Sequence, residues 1–311
     1  MVSTGGYSNK SIGNRIKEFT LYHRDGDGEC NNVVLKAWAE KHKLDSAQRY
    51  LLSYFFAITY CVESAVILFK DQSEAFACRK SWADRIKGKI VFQSDRKYIR
   101  MKNNFEVCLN ALRNKVPSYD DFMKKVKRGG RISLKDAIKE VCGWDMFGRF
   151  SAYLFLETVV SLNDIEIENT TIDWKNGDTA TSGLLNVFGL DNEADWFDKS
   201  GELKRSYKEM DMMLSYLLSS VRNAGGDDNV TKVETSLCAY RKFYKGTRYN
   251  GYYLDRMLDE INKMRADFPE ESAELSEIRT KHFPEKQLGE IGGWRGIRRE
   301  LKKLYKETGL I

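Results

Sequence analysis

The chain has only three prolines in 311 residues, at positions 117, 269 and 284, so almost nothing in it forbids a long helix. Its six cysteines, at 30, 61, 78, 108, 142 and 238, form no CxxC pair, and its three histidines (His23, His42 and His282) are equally scattered. A structural zinc site or an iron–sulfur cluster therefore has no sequence-local framework, and reduced, mostly buried thiols of a cytoplasmic protein are expected. No Walker loop, Rossmann fingerprint, HExxH pair or nucleophile elbow is present. That excludes the commonest nucleotide-dependent kinases, dinucleotide enzymes, zinc proteases and serine hydrolases. Residues 1–14 are polar and Gly/Ser-rich without an apolar core, which reads as a flexible start and not a secretion signal. The one long apolar run, 51–69, is broken by Ser53, Thr59, Glu63 and Ser64, and its expected place is a buried central helix, not a membrane. Asp25-Gly26-Asp27-Gly28-Glu29 starts like a calcium loop, but Cys30 and Lys36 stand where the loop needs its glycine and its closing glutamate, so it reads as a turn.

What is present favours helices. The sequence is 42% hydrophobic and 12% aromatic, ample for a core, and its apolar residues recur with a period near 3.6. The pattern predicts helices at 15–24, 33–43, 46–69, 72–87, 104–114, 119–128, 134–142, 148–162, 206–223, 230–244, 250–266 and 270–281. Ser46, Ser118 and Ser133 are the expected N-caps. A short strand or hairpin is expected at 89–92, and a long polar loop at 163–198 with a short helix near 183–188. The expected fold is mainly α: a single multi-helix body over 15–281 with little sheet, followed by a basic helix within 282–311.

Charge is unevenly placed. Residues 79–131 carry 16 Lys or Arg against five acids, whereas 157–202 carry 11 acids against Lys175 and Lys199. A basic face of this kind attracts polyanions, so nucleic acid is the natural partner; a solvated basic surface is the plainer alternative. At the C-terminus Arg295, Arg298, Arg299 and Lys302 share one helical face that could extend such a track.

Two stretches carry candidate chemistry. In Cys142-Gly143-Trp144-Asp145-Met146-Phe147-Gly148-Arg149, two glycines five apart open a long apolar helix. This is the pattern of a helix–hairpin–helix turn, as in DNA glycosylases, whose backbone N–H groups can hold a phosphate. Glu157 lies in the apolar helix that follows and is costly to bury without a partner such as Arg149 or Arg248. Asp173-Trp174 comes next, at a spacing that in helix–hairpin–helix glycosylases places an aspartate near the sugar, which keeps base excision open. Arg149 stands where a bifunctional glycosylase has its lysine, however, and arginine is a poor nucleophile. The second stretch, residues 233–255, gathers Glu234, Cys238, Tyr240, Arg241, Arg248, Tyr249, Tyr252 and Asp255 around a glycine-punctuated turn.

Taken in succession, Asp95-Arg96-Lys97-Tyr98, Phe147 to Ala152 leading to Glu157, Asp173-Trp174, Ser182-Gly183-Leu184, Glu234 to Cys238, Arg248-Tyr249 and Asp255 resemble a known group. They look like the bacteriophage enzymes of thymine hypermodification, the alpha-glutamyl/putrescinyl-thymine pyrophosphorylases and amino acid:DNA transferases, over about residues 45–260. The resemblance implies a double-stranded DNA substrate whose 5-hydroxymethyluracil has been pyrophosphorylated by a partner kinase, and displacement of pyrophosphate by an amino acid or polyamine. It implies catalytic roles for Glu157, Glu234 and Asp173. Pyrophosphate or DNA contacts would fall to Arg96, Lys97, Arg100, Arg128, Arg131, Arg149 and Arg248, and stacking on an extruded base to Trp174, Tyr249 and Tyr252. Cys238 is a candidate nucleophile or a small core residue, and Asp255 a further candidate. No cofactor is required; Mg2+ could accompany pyrophosphate on Asp173, Asp178 and Asp255. No membrane is involved, and the expected location is the cytoplasm, the host's for a phage-encoded enzyme. A glycosylase or lyase, and a non-enzymatic DNA-binding protein, are the alternatives.

Overall fold

The computed structural model describes residues 11–24, 29–93, 96–168, 171–175, 177–192, 196–198, 200, 202–244 and 251–283. In chain order its first helices are α1 (Ile12–Arg24), α2 (Cys30–Lys41), α3 (Ser46–Thr59), α4 (Val62–Lys70), α5 (Gln72–Ala77), α6 (Lys80–Lys89), α7 (Arg96–Asn103), α8 (Phe105–Asn114) and α9 (Tyr119–Val126). Strands β1 (Lys127–Arg128) and β2 (Arg131–Ser133) follow, then α10 (Leu134–Val141), α11 (Arg149–Asn163) and β3 (Ile167–Glu168). The chain continues with α12 (Asp178–Val187), α13 (Tyr207–Asn223), α14 (Val230–Tyr244), α15 (Tyr252–Met264) and α16 (Pro269–His282). The fold is mainly α, as its sequence periodicity predicts. Contacts group the chain into two compact units, one built from Asn31–Glu168 and Asp255–His282, the other from the described parts of Met1–Cys30, Asn169–Leu254 and Phe283–Ile311.

In the first unit α3 packs along α11 and is continued by α4. The apolar run 51–69 is buried as expected, but as two helices and not one. Tyr60 takes a left-handed conformation (φ 52°) while its N–H donates to Phe56 O at 2.6 Å, closing α3 before Cys61 begins α4. The cap of α3 is Asp45 and not Ser46: its carboxylate accepts from Gln48 N at 2.8 Å, and Gln48 Oε1 accepts from Asp45 N at 2.9 Å. This is the reciprocal capping box, which needs a Glu or Gln side-chain acceptor three residues on. Ser118 and Ser133 cap α9 and α10 as expected. Around α3 and α11, Tyr50, Tyr54, Phe122, Trp144, Phe147 and Phe155 interlock, mostly edge to face, with centroids 5.1 to 6.3 Å apart. Each such ring contributes roughly 1.5–3 kcal/mol by burial. The Tyr54 hydroxyl donates to Cys108 O at 2.7 Å, so its polar end is satisfied too.

No strand forms at 89–92. Lys89 ends α6, and the extended residues beyond it use their N–H groups elsewhere: Val91 donates to Ser64 Oγ at 3.0 Å and Gln93 to Thr59 O at 3.0 Å. The small sheet lies at 127–133 instead. There β1 pairs antiparallel with β2 (Lys127 opposite Ile132), β2 pairs parallel with β3 (Ile132 opposite Ile167), and Gly129-Gly130 (φ 53° and 91°) make the tight hairpin.

In the second unit α12 and α14 share the most extensive helix contact, with α1 and α13 beside them. Arg15 ties α1 to the end of α12, donating to Asn186 O at 3.1 Å and pairing with Asp191 Oδ1 at 2.6 Å. His23 is held between Ser236 Oγ and Asp227 O, both at 2.7 Å, and burial pushes its pKa below the usual value, so the ring is neutral. Among the described residues no helix is long and apolar enough to cross a membrane. The calcium-like turn at 25–28 and the basic tail from 284 onward lie outside the described residues.

Candidate active site and nucleic-acid contacts

The Gly–x4–Gly segment does form a turn between two helices. Gly143 N donates to Glu140 O at 3.1 Å and Trp144 N to Val141 O at 3.0 Å, Met146 takes φ 69°, and Gly148 is the N-cap of α11. Trp144 and Phe147 anchor this turn in the aromatic core, leaving the first turn of α11 to present Arg149 and the partly exposed Phe150. Phe150, Tyr153 and Glu157 follow at i, i+3 and i+7 along one helix face. Glu157 is 6% exposed, so the apolar run does bury its carboxylate.

Beside Phe150 lies a grouping of side chains that sequence reasoning does not bring together. Tyr60 stacks on Tyr98 with centroids 5.4 Å apart, and both rings meet Phe150 edge-on at 6.3 Å. The Arg256 guanidinium lies 4.7 Å from the centroid of Tyr60 and pairs with Glu260 at 3.3 Å. Burial pushes the pKa of Glu260 up from its usual value, although Arg256 pulls the other way. A tyrosine held in the left-handed region costs about 1–3 kcal/mol, a cost found more often at functional positions than elsewhere. The Arg256–Glu260 spacing is the only local signal for this cluster.

The predicted cations are placed as follows. Arg96 and Lys97 belong to the first turn of α7, and Arg100 is exposed on the same helix. Arg128 and Arg131 flank the hairpin tip, exposed but engaged, Arg128 with Asp136 at 3.2 Å and Arg131 with Glu166 at 2.6 Å. Arg128 also lines an open cleft of about 600 Å³ with Lys115, Lys125, Lys139, Asp136, Glu140, Gly143 and Trp144. Asp255, 4% exposed, lies on the part of α15 belonging to this unit.

In the other unit Trp174 is 4% exposed, and its indole N–H donates to Asp211 Oδ1 at 2.8 Å. Asp173 is half-buried, and its carbonyl accepts from Gly177 N at 2.7 Å. A side chain at Gly177 would lie 2.9 Å from that carbonyl, so the turn requires glycine. Glu234 (9% exposed) and Cys238 occupy successive turns of α14, with Arg241 one turn further and its guanidinium 6.0 Å from the Trp196 ring. Tyr252, at the start of α15, meets Tyr253 edge-on at 5.4 Å. Arg248 and Tyr249 lie outside the described residues. A second cleft, of about 440 Å³, is lined by Trp174, Lys175, Phe197, Ser200, Glu202, Leu203, Arg205, Ser206 and Tyr207. It joins residues some thirty positions apart, which no local motif announces.

Thiol and metal chemistry are constrained. Burial raises the pKa of Cys61, Cys78, Cys108 (to about 12) and Cys142, so none of these four is an activated thiolate. Among the described residues no three His, Cys, Asp or Glu side chains converge as a metal cluster.

Comparison with known proteins gives two findings. Residues 59–249 match the family model described as amino acid:DNA transferase. The chain is also 30% identical over 188 residues to a protein named Serinyltransferase from Salmonella phage ViI, the match covering 54% of this chain and 46% of that protein. The chain thus spans about half the length of that relative. The family match includes Tyr60, Arg149, Glu157, Asp173, Trp174, Glu234, Cys238, Arg248 and Tyr249, and stops short of Tyr252, Asp255 and Arg256.

Proposed function

Because the chain belongs to the amino acid:DNA transferase family, we propose that it joins an amino acid to DNA by displacing pyrophosphate from an activated 5-hydroxymethyluracil. The observation that carries this reading is the family match across 59–249, which encloses the buried helical carboxylates Glu63, Glu157 and Glu234. In the reaction the amine lone pair forms a C–N bond to the exocyclic methylene carbon. The C–O bond electrons leave with pyrophosphate, and one proton must leave the nitrogen.

A free amino group is protonated at neutral pH, so a carboxylate has to take that proton first; Glu157 or Glu234 fills the role. Negative charge grows on the departing oxygen and calls for guanidinium groups, the part of Arg96, Arg149 and Arg248. The base must leave the duplex for its methylene to be reached, and Tyr249 and Tyr252 offer aromatic surface for it, whereas Trp174 is buried and held by Asp211. Lys97, Arg100, Arg128 and Arg131 hold the DNA backbone, through contacts that position without reading sequence. With no Walker loop the chain does not activate the base itself, so a separate kinase supplies the pyrophosphorylated substrate. Pyrophosphate usually arrives with Mg2+, which would shield its charge. The donor is an amino acid, with serine the first to try given the relative's name; putrescine is the other donor class.

The test is nucleoside mass analysis of hydroxymethyluracil DNA treated with a thymine-modifying kinase and ATP, then with this protein and single donors. A nucleoside heavier by one donor minus water, absent with Glu157→Gln or Glu234→Gln protein, supports transfer. Base loss would indicate a glycosylase, and unaltered DNA with salt-sensitive binding would indicate a binding protein.

A further inference from the structure

The cleft of about 440 Å³ between residues 174 and 207 carries charges of both signs on aromatic walls. We infer that it is the binding site for the amino-acid donor, with Lys175 and Arg205 receiving its carboxylate and Glu202 its ammonium. This rests on the transfer reading above and adds to it the place where the donor is held.

The walls are built in advance. Phe197 bridges to Leu203, Lys204 N donates to Trp196 O at 2.9 Å, and Asp198 N donates to Glu202 O at 2.8 Å. The Asp198 carboxylate also gathers the N–H groups of Ser200 and Glu202, at 2.8 and 2.9 Å, which ties Glu202 to Asp198. On the opposite wall Asp211 fixes Trp174 through its indole N–H. A cleft pre-shaped in this way loses little entropy on binding. Ser206 caps α13 and lines the cleft with Tyr207, so the positive end of a 17-residue helix adds to Lys175 and Arg205 on the carboxylate side.

Local charge decides between the two ligands that aromatic walls and two cations could serve. A nucleotide would bring its phosphate beside the Glu202 carboxylate and would gain nothing from it. A small zwitterion matches all three charged groups of the lining. The volume lies within the usual range for small-ligand sites.

The test is calorimetric titration of the full chain with L-serine, and in parallel with glycine, L-glutamate, L-serinamide and 3-hydroxypropionate. Lys175→Gln, Arg205→Gln and Glu202→Gln should each weaken binding of the amino acid about tenfold, as expected for loss of one charge-assisted contact. Serinamide, which lacks the carboxylate, should be indifferent to the first two changes, and 3-hydroxypropionate, which lacks the ammonium, to the third. All three positions are at the surface, so melting temperatures should hold. In the transfer assay the same variants should raise the KM for the amino acid and leave that for DNA. Transfer with unaltered amino-acid KM in all three variants would overturn the cleft assignment and leave the function standing. Charge-dependent amino-acid binding without any DNA adduct would uphold the cleft and overturn the function. Failure of every amino acid to bind, or tighter binding of thymidine monophosphate that depends on Lys175 and Arg205, would overturn the assignment outright.

Discussion

Replacing Gly183 by alanine sets two well-known effects against each other. Gly183 sits inside α12, where alanine is favoured over glycine by about 1 kcal/mol on helix propensity alone. Yet a Cβ built there would lie 2.3 Å from Leu237 O, 2.9 Å from Leu237 C and 3.2 Å from Leu237 Cα. These are backbone atoms of α14 that cannot rotate aside, so the two helices must separate. Overpacking of this kind costs about 1–3 kcal/mol and here falls at the upper end, which leaves a net loss of about 2 kcal/mol after the propensity gain. For a chain of this size that is a fall in melting temperature of roughly 3 °C. Because α14 carries Glu234 and Cys238, transfer activity should fall as well, even at temperatures where the Gly183→Ala protein is folded. Urea titration followed by circular dichroism reads the first effect and adduct formation the second. A variant more stable than the parent by about 1 kcal/mol would show that α12 and α14 are not in this close contact.

Burial pushes the Glu63 carboxyl up to about 7, so the folded protein keeps a proton that the unfolded chain releases near 4.5. Stability should therefore decline as pH rises from 4.5 to 7, by about 3 kcal/mol at most, and Glu63→Gln should flatten that slope in denaturant titrations at a series of pH values. His23 acts in the opposite direction: its lowered pKa makes the unfolded chain the better proton acceptor, so its contribution is lost as pH falls below 6.5, and His23→Gln should remove that acid-side loss. Asp211→Ala leaves the buried Trp174 indole without an acceptor and should cost about 1–3 kcal/mol in unfolding free energy. Replacing Lys127, Arg128 and Arg131 together by glutamine should weaken DNA binding equally across sequences and reduce the salt slope by up to about three; an unchanged slope would remove the hairpin from the DNA surface.

Most helices were legible because their signals are local. Ser118 and Ser133 cap where their spacing to Asp121 and Asp136 places them, and α14 covers the predicted 230–244. The break at Tyr60 was not legible, since neither glycine nor proline marks it. Its partners Tyr98, Phe150 and Arg256 come from distant parts of the chain. Helix α7 escaped notice because its buried residues, Tyr98 and Met101, are too few to set a period amid basic neighbours. Of the candidate site, the burial of Glu157 followed from the apolar run around it. The mixed-charge cleft did not, because it forms only when Lys175 and Trp174 meet the loop that carries Glu202 and Arg205.

Transfer by displacement makes a stoichiometric demand. The decisive measurement is parallel counting of pyrophosphate released and radiolabelled amino acid fixed in DNA, on pyrophosphorylated hydroxymethyluracil substrate. One pyrophosphate per amino acid, both lost together in Arg149→Ala protein, is the expected result. Amino acid fixed without pyrophosphate, or pyrophosphate released at the same rate when no donor is present, would contradict displacement as the reaction of this chain.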